Sequence, residues 1–202
     1  MASNEWTFTG TVRKFGETRP EGMSWGKMWI SIEIPSIPGK VRENAVIINV
    51  PTAYGTDLDS KRTDRLKNGL KANAPIFIYG AKVDLLKRSR KTDSGWEDYY
   101  ETGIRVYPKG ITIGSVKFPD VNIGILAGKV TNVKPDLITI SESYMVPRTK
   151  EKKTRPVPIG NINGEWDYVQ EGSYVFAQLQ IAGRNPKGEY QTMGFADKLV
   201  VL

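Results

Sequence analysis

Apolar and polar residues alternate along most of this chain. In "WTFTGTV", Trp6, Phe8, Gly10 and Val12 share one face and threonines take the other. "MWISIEI" repeats the pattern with Met28, Ile30, Ile32 and Ile34. "NAVIINV", "PIFIYGAKVDLL", "YETGIRV" and "GITI" follow in the first half, and "NIGILAGKV", "DLITIS", "SYVFAQLQIAG", "YQTMGFA" and "KLVVL" in the second. Short Val/Ile/aromatic runs bounded by Gly, Pro, Asn or Asp predict β-strands. One segment has helical spacing: "DLDSKRTDRLKNGLK", with Asp57 at its start, Leu58, Leu66 and Leu70 on one face and Gly69 near its end. The expectation is an all-β protein with one short helix.

The strands repeat in order. "GTVRKF" (10–15) matches "GKVTNV" (128–133) at an offset of 118, and "ISIEI" (30–34) matches "ITISE" (138–142) at 108. "IFIYGAKVDL" (76–85) matches "YVFAQLQIAG" (174–183) at 98, and "IRVYPKGITI" (104–113) matches "MGFADKLVVL" (193–202) at 89. An offset that falls at each step predicts two copies of one small β-domain, with each connection shortened in the second copy. The join falls near "GSVKFPDVN" (114–122) and divides the chain into 1–115 and 116–202.

Two five-stranded units of this size fit tandem Greek-key barrels of the OB type, the first carrying the helix between its third and fourth strands. Gly10 and Gly128 lie mid-strand, where glycine lets a long strand bend to serve both sides of a small barrel. At this point the sequence resembles the single-stranded DNA-binding protein family. "FTGTVRKF" stands as its first strand and "WISIEI" as its second. "RLKNGLKANAPIFIYGAKVDLL" supplies helix, turn and fourth strand, and "KRSRKTDSGWEDYYETGIRV" a ribbon into the fifth. Residues 5–113 carry the resemblance most fully and 121–202 more weakly. It implies OB-folds, binding of single-stranded DNA, no cofactor and a homo-oligomer, with a dimer of two-fold chains supplying the usual four units. Two departures stand out. Two copies share one chain, and the sequence closes on "KLVVL" where bacterial members have an acidic tail that recruits partners.

Composition narrows the chemistry. The 202 residues carry a net charge of +7 and a pI near 9.5, which favours an anionic partner, nucleic acid first. With no Cys and no His, disulfides, thiolate nucleophiles, Cys/His metal sites and Ser-His triads are excluded. Carboxylate or lysine chemistry stays open, but no Gly-rich phosphate loop or EF-hand spacing accompanies it, so a non-enzyme without cofactor is expected. "MASNEWTFTGTV" lacks the features of a signal peptide, and no apolar run approaches about 18 residues. The expected location is the cytoplasm of a bacterium, or of a phage-infected host, with no membrane contact.

OB-folds bind nucleic acid across their second and third strands, between the loops that join strands one and two and strands four and five. Bases stack on aromatics there while cations track the backbone. Trp29 lies on the solvent phase of "MWISIEI", a place for a stacking platform or for packing under a loop. Trp25 sits in the first loop of "RPEGMSWGK" with Lys27. In "KRSRKTDSGWEDYYE", a four-residue turn from Thr92 to Gly95 would set Lys91 opposite Trp96, Arg90 opposite Glu97, Arg88 opposite Tyr99 and Lys87 opposite Tyr100. Four positive charges meet four negative ones there, so the stretch is neutral. Opposed charges and Arg–aromatic pairs stabilise such a ribbon by themselves. The functional alternative is an aromatic finger, formed by Trp96, Tyr99 and Tyr100, that closes over nucleic acid.

Unbalanced charge lies in "KRTDRLKNGLK" (61–71) and "RTKEKKTR" (148–155), each at +4. The first is expected to face solvent. The second, with Arg148, Lys150, Lys152, Lys153 and Arg155 in a loop between Pro147 and Pro156, borders the expected groove. As a phosphate site it would give steep salt dependence. Among second-copy aromatics, Tyr144, Trp166, Tyr168 and Tyr190 are further candidates, with plugging of the barrel in place of the missing helix as the alternative for Trp166. The function expected is sequence-tolerant binding of single-stranded DNA, protecting it in replication, recombination or repair. An RNA-binding OB protein and a structural β-barrel assembly protein are the alternatives, since no residue pattern here reads a 2′-hydroxyl.

Overall fold

The computed structural model describes the backbone of residues 4–18, 25–35, 45–53, 57–135, 137–146, 149–160, 166–184 and 191–202. It describes their side chains apart from those of 25, 53, 57–59, 84–90, 98–102, 182–184 and 191–197. These residues form β1 (Asn4–Thr18), β2 (Trp25–Glu33), β3 (Ala45–Ala53), α1 (Asp57–Gly69), β4 (Pro75–Thr92), β5 (Gly95–Arg105), a 3-10 turn (Pro108–Gly110) and β6 (Ile111–Ile113). They continue with β7 (Asn122–Lys134), β8 (Leu137–Met145), β9 (Lys152–Gly160), β10 (Tyr174–Arg184) and β11 (Gln191–Val201).

Two OB-type barrels close in tandem. In barrel one β1 pairs with both β2 and β4, β2 with β3, β3 in parallel with β5, and β5 with β4. In barrel two β7 pairs with β8 and β10, β8 with β9, β9 in parallel with β11, and β11 with β10. The inward phase is the one the alternation predicts: Trp6, Phe8, Val12, Met28, Ile30, Ile32 and Ile34 are all buried. Leu66 of α1 and Leu70 just beyond its end join that core, and each fully buried aliphatic side chain contributes about 1.5–3 kcal/mol. Barrel two has a turn at 166–168 where barrel one has its helix; Val169 is buried there and Trp166 packs against the core.

The repeat survives as register. Thr11 pairs with Glu33 and Lys129 with Ser141, and both first strands bulge just after, between Val12 and Lys14 and between Val130 and Asn132. The offsets of 118 and 108 therefore hold residue by residue. A Cβ on Gly10 would lie 2.4 Å from the Glu33 carbonyl oxygen, and one on Gly128 2.3 Å from that of Ser141. Only glycine lets the bent first strand approach its neighbour that closely.

Three details differ from the sequence reading. The offset does not fall at each step: Ile30 pairs with Ile48 and Ile138 with Ile159, so the third strand is displaced by 111 and its hairpin is longer in the second copy. The fourth strand shifts by 99 before a bulge at Gly80 (φ 63°) and by 98 beyond it. The fifth shifts by 90 at β5 and 88 at β6, because a turn begun by Pro108 splits in barrel one what is continuous in β11. "YQTMGFA" and "KLVVL" are thus one strand, and β9 is a strand the alternation does not reveal. Its prolines at 156 and 158 fall where β8 is its one described neighbour, β11 joining only at Ile159 and Gly160. A missing N–H is tolerated on such an edge.

The barrels join through an antiparallel ladder of β1 with β7, from Asn4–Leu126 to Phe8–Asn122. With an offset of 118, this ladder maps onto itself about the pair Trp6–Gly124, a local two-fold axis. Asn4 and Asn122 are equivalent by that symmetry. Asn4 donates to the Val83 carbonyl at 2.8 Å and accepts from the Val83 N–H at 3.2 Å; Asn122 does both with Ile181 at 2.8 Å. Each amide thereby extends the closure of its own barrel by a further rung. Among the described residues no helix is long and apolar enough to cross a membrane.

Candidate nucleic-acid interface

Trp29 emerges on the outer face of β2, where the alternation puts it, with Lys27 two residues away on the same face. It is half-buried, and its indole lies on β1. A Cβ built at Gly16, its partner, would stand 2.7–2.8 Å from the ring atoms Cζ2, Cε2 and Nε1. The packing alternative and the platform alternative are therefore compatible: the sheet holds the ring without hiding it. Trp25 belongs to β2 rather than to the first loop, paired with Ala53; its side chain lies outside the described residues.

The register carries the face onward. Gly16 pairs with Trp29, Trp29 with Asn49, Asn49 with Arg105 and Arg105 with Lys82. This row crosses five strands with an aromatic, an amide, a guanidinium and an ammonium in succession. Neighbouring strands lie about 4.8 Å apart. Arg105 and Lys82 escaped the sequence reading because each stands as a lone cation inside an apolar strand. The buried Asn49 is tied down, donating its Nδ2 to the Ile104 carbonyl at 3.3 Å.

The ribbon has the expected register. Lys87 faces Tyr100, Arg88 Tyr99, Arg90 Glu97, Lys91 Trp96 and Thr92 Gly95. Trp96, beside the turn, is 76 % exposed, and Lys91 is exposed too. The Thr92 hydroxyl donates to the Gly95 carbonyl at 3.0 Å and pins the turn. The side chains of Lys87, Arg88, Arg90, Tyr99 and Tyr100 lie outside the described residues.

The basic run of barrel two is not all loop. Residues 152–155 belong to β9, and the turn is closed by the Val146 N–H donating to the Glu151 carbonyl at 2.8 Å. Lys150, Lys152 and Lys153 are exposed, Lys153 beside Glu151 at 3.4 Å. Arg148 and Tyr190 lie outside the described residues, as do Pro147 and Tyr54. Arg155 is engaged elsewhere. Its guanidinium, 12 % exposed, pairs with Glu142, 3 % exposed, and lies 4.9 Å from the centre of the Tyr144 ring. Glu142 also accepts from Asn4 Nδ2 at 3.0 Å, while Asn4 Oδ1 accepts from Trp6 Nε1 at 2.8 Å. This polar node bonds β8 and β9 of barrel two to β1 of barrel one. Lys82 faces it: burial pushes its ammonium below the ordinary value, Glu142 and Glu5 pull it back up, and Arg155 opposes them.

Of the cations in the 61–71 run, Lys61 and Arg65 on α1 and Lys71 beyond it face solvent, and Lys67 pairs with Glu17 at 2.7 Å, bracing α1 against the β1–β2 hairpin. Phe15 and Tyr79 are both exposed. Tyr168 is exposed and packs edge-on against Trp166 with ring centres 6.2 Å apart. Among the described residues no three acidic side chains come together as a metal site would need.

No family model and no curated protein matches this sequence. Solved structures do resemble the fold. The chain matches the crystal structure of the wild-type single-stranded DNA binding protein from Thermus aquaticus with a TM-score of 0.60 and 12 % identity, over 98 % of this chain and 92 % of that one. It matches a deletion mutant of the single-stranded DNA binding protein from Thermus aquaticus with a TM-score of 0.60 and 13 % identity, over 98 % and 94 %. The all-β fold that the sequence resemblance implies is thus shared with these structures over nearly the whole of this chain.

Proposed function

We propose that this protein binds single-stranded DNA without sequence preference, through base stacking and phosphate neutralisation, and acts without catalysis or a cofactor. The observation that carries the reading is Trp29, an indole held against Gly16 on the outer face of β2 in a whole-chain fold shared with single-stranded DNA binding proteins. A fixed aromatic surface beside cations is what a sequence-tolerant site needs, since every base offers a π face. The contacting set comprises Trp25, Lys27 and Trp29, the ribbon with Trp96, and the lysines at 150, 152 and 153, in OB units spanning 1–115 and 116–202. Its work is to cover exposed single strands during replication, recombination or repair in the cytoplasm.

A homodimer completes the reading. The outer face of the continuous sheet β4–β1–β7–β10–β11 exposes Tyr79, Ile123, Phe176 and Val200, with Phe176 paired to both Ala127 and Val200. An apolar face of this kind marks a protein contact, and a second copy presents its match. Sedimentation should give a dimer, and Ile123→Lys with Phe176→Lys a monomer.

The deciding experiment is tryptophan quenching and anisotropy with oligo-dT, duplex DNA and poly-U across a salt series. Tight, salt-steep binding to oligo-dT alone supports the reading. No binding to oligo-dT at low salt overturns it, and a preference for poly-U moves the function to RNA.

A further inference from the structure

The two barrels differ where a nucleic-acid chain would lie, a difference that rests on the binding reading above. In barrel one the β1–β2 hairpin runs past Gly16–Trp29 to Thr18–Lys27. In barrel two the β7–β8 hairpin ends at Lys134–Leu137, and these residues hold the positions equivalent to Gly16 and Trp29. The shortening removes both the indole and the glycine beneath it. The ribbon is cut back as well. Six residues join Arg184 to Gln191 where fourteen join the equivalent Leu86 and Glu101.

Barrel two extends at a different hairpin. In barrel one the described β2–β3 pairs reach Glu33–Ala45, equivalent to Ser141–Pro156, and eleven residues join the first pair where fourteen join the second. In barrel two the β8–β9 pairs continue from there to Met145–Lys152, and the added length carries Lys152 and Lys153, with Lys150 in the turn. The aromatic arms of one barrel are thus replaced by a cationic arm on the other. The row Trp29–Asn49–Arg105–Lys82 leads towards that arm, because Lys82 lies in the field of Glu142 and Arg155 at its base.

We infer that the barrels hold one nucleic-acid chain by different chemistries: barrel one stacks its bases, and the β8–β9 hairpin of barrel two neutralises its phosphates. Stacking requires a flat face held in place. Neutralisation requires only hydrated point charges on flexible stems, which lysine supplies. The two contributions separate experimentally, because released counterions set the salt slope whereas stacking sets quenching and a salt-independent share of the affinity.

The test compares the parent chain, Trp29→Ala and the triple variant Lys150→Gln/Lys152→Gln/Lys153→Gln with oligo-dT across a salt series. Trp29→Ala is expected to weaken binding about ten- to a hundred-fold at every salt concentration, with the slope unchanged. The triple variant is expected to lower the slope by about 2, from three lost contacts at about 0.7 each, with the quenching at saturation unchanged. All three lysines are exposed, so the fold stays intact. An unchanged slope in the triple variant, or a slope that falls in Trp29→Ala, overturns the division of labour. Failure of the parent chain to bind oligo-dT at low salt overturns instead the binding function itself.

Discussion

Trp6 and Gly124 hold equivalent positions in the two barrels and pair with each other across the β1–β7 ladder. The Trp6 indole fills the space a side chain at Gly124 would need: a Cβ there would lie 2.2–2.5 Å from ring atoms Cε3, Cζ3 and Cδ2. A symmetric pair of large residues cannot both fit on the axis, so one barrel supplies the ring and the other the room. Gly124→Ala should destabilise the protein by about 1–3 kcal/mol through overpacking, since fully buried Trp6 has nowhere to move. Trp6→Gly should cost at least as much as a Trp→Ala change, about 3–5 kcal/mol. The exchange Trp6→Gly/Gly124→Trp should be more stable than either single variant, because the ring enters the same space from the other side. Urea denaturation of Trp6→Gly, Gly124→Trp and the exchange checks the coupling; an exchanged variant as weak as the sum of these two singles would refute it.

The two asparagines should be unequal despite their symmetry. Asn122→Ala leaves the Ile181 N–H and carbonyl without their side-chain partner, at about 1–3 kcal/mol per buried unpaired group. Asn4→Ala does the same at Val83 and also deprives the Trp6 N–H and Glu142 of their bonds. Asn4→Ala should therefore be the more damaging of the two in thermal or urea unfolding. Equal losses would mean that the added bonds to Trp6 and Glu142 contribute nothing.

What the sequence disclosed follows from which interactions are local. "MWISIEI" gave both its core and its outward tryptophan because strand alternation assigns faces without knowledge of partners. The ribbon register was legible because the turn at Thr92–Gly95 fixes every pair behind it. By contrast, β9 was hidden by Pro156 and Pro158, whose tolerance depends on lying at a sheet edge. Asn4 was hidden because its partners lie 79 and 138 residues away. Arg155 looked like the other cations of its run; what separates it is a buried carboxylate across the hairpin and a second barrel behind that. Gly16 could not be recognised as the seat of Trp29 without the register of a hairpin whose loop length is not encoded in any pattern.

Removing one partner of the Glu142–Arg155 pair should expose the cost of an uncompensated charge between the barrels. Glu142→Gln keeps an acceptor for Asn4 but strips Arg155 of its counterion, at about 3 kcal/mol, the lower end of the range for buried pairs because Arg155 keeps some solvent and the Tyr144 ring. Replacing both, as Glu142→Leu/Arg155→Met, should cost less than Glu142→Gln alone. The exposed pair Lys153–Glu151 is the control: Glu151→Gln should change stability by no more than about 1 kcal/mol. Chemical denaturation at one pH ranks the three variants.

Lys82 predicts a pH dependence with a definite sign. Its folded-state pKa lies below the ordinary 10.5, chiefly through burial. Between the lowered value and 10.5 the unfolded chain binds more protons than the folded one, so stability from this group rises with pH across that window. Below it, the charged ammonium is a net cost. Lys82→Met should therefore be more stable than the parent chain at neutral pH. That advantage should shrink as pH climbs through the lowered pKa toward 10.5. Unfolding free energies of parent and variant from about pH 7 to 10.5 test this; a constant difference would show that Lys82 does not carry the titration.

Gly16 should govern Trp29 without touching nucleic acid. The backbone at Gly16 has no positive φ, so a β-branched residue suits its strand conformation, and the obstacle to one is the indole itself. Gly16→Val should lift or rotate the ring and shift the Trp29 emission of the free protein. It should weaken oligo-dT binding toward the loss given by Trp29→Ala, about 1–3 kcal/mol for a stacked base. In a Trp29→Ala background the same valine should cost no further affinity, because the platform it disturbs is gone. That non-additivity distinguishes a seat for the ring from a backbone contact to the ligand. If Gly16→Val weakens binding equally in both backgrounds, Gly16 acts on its own and the braced-platform account of Trp29 fails.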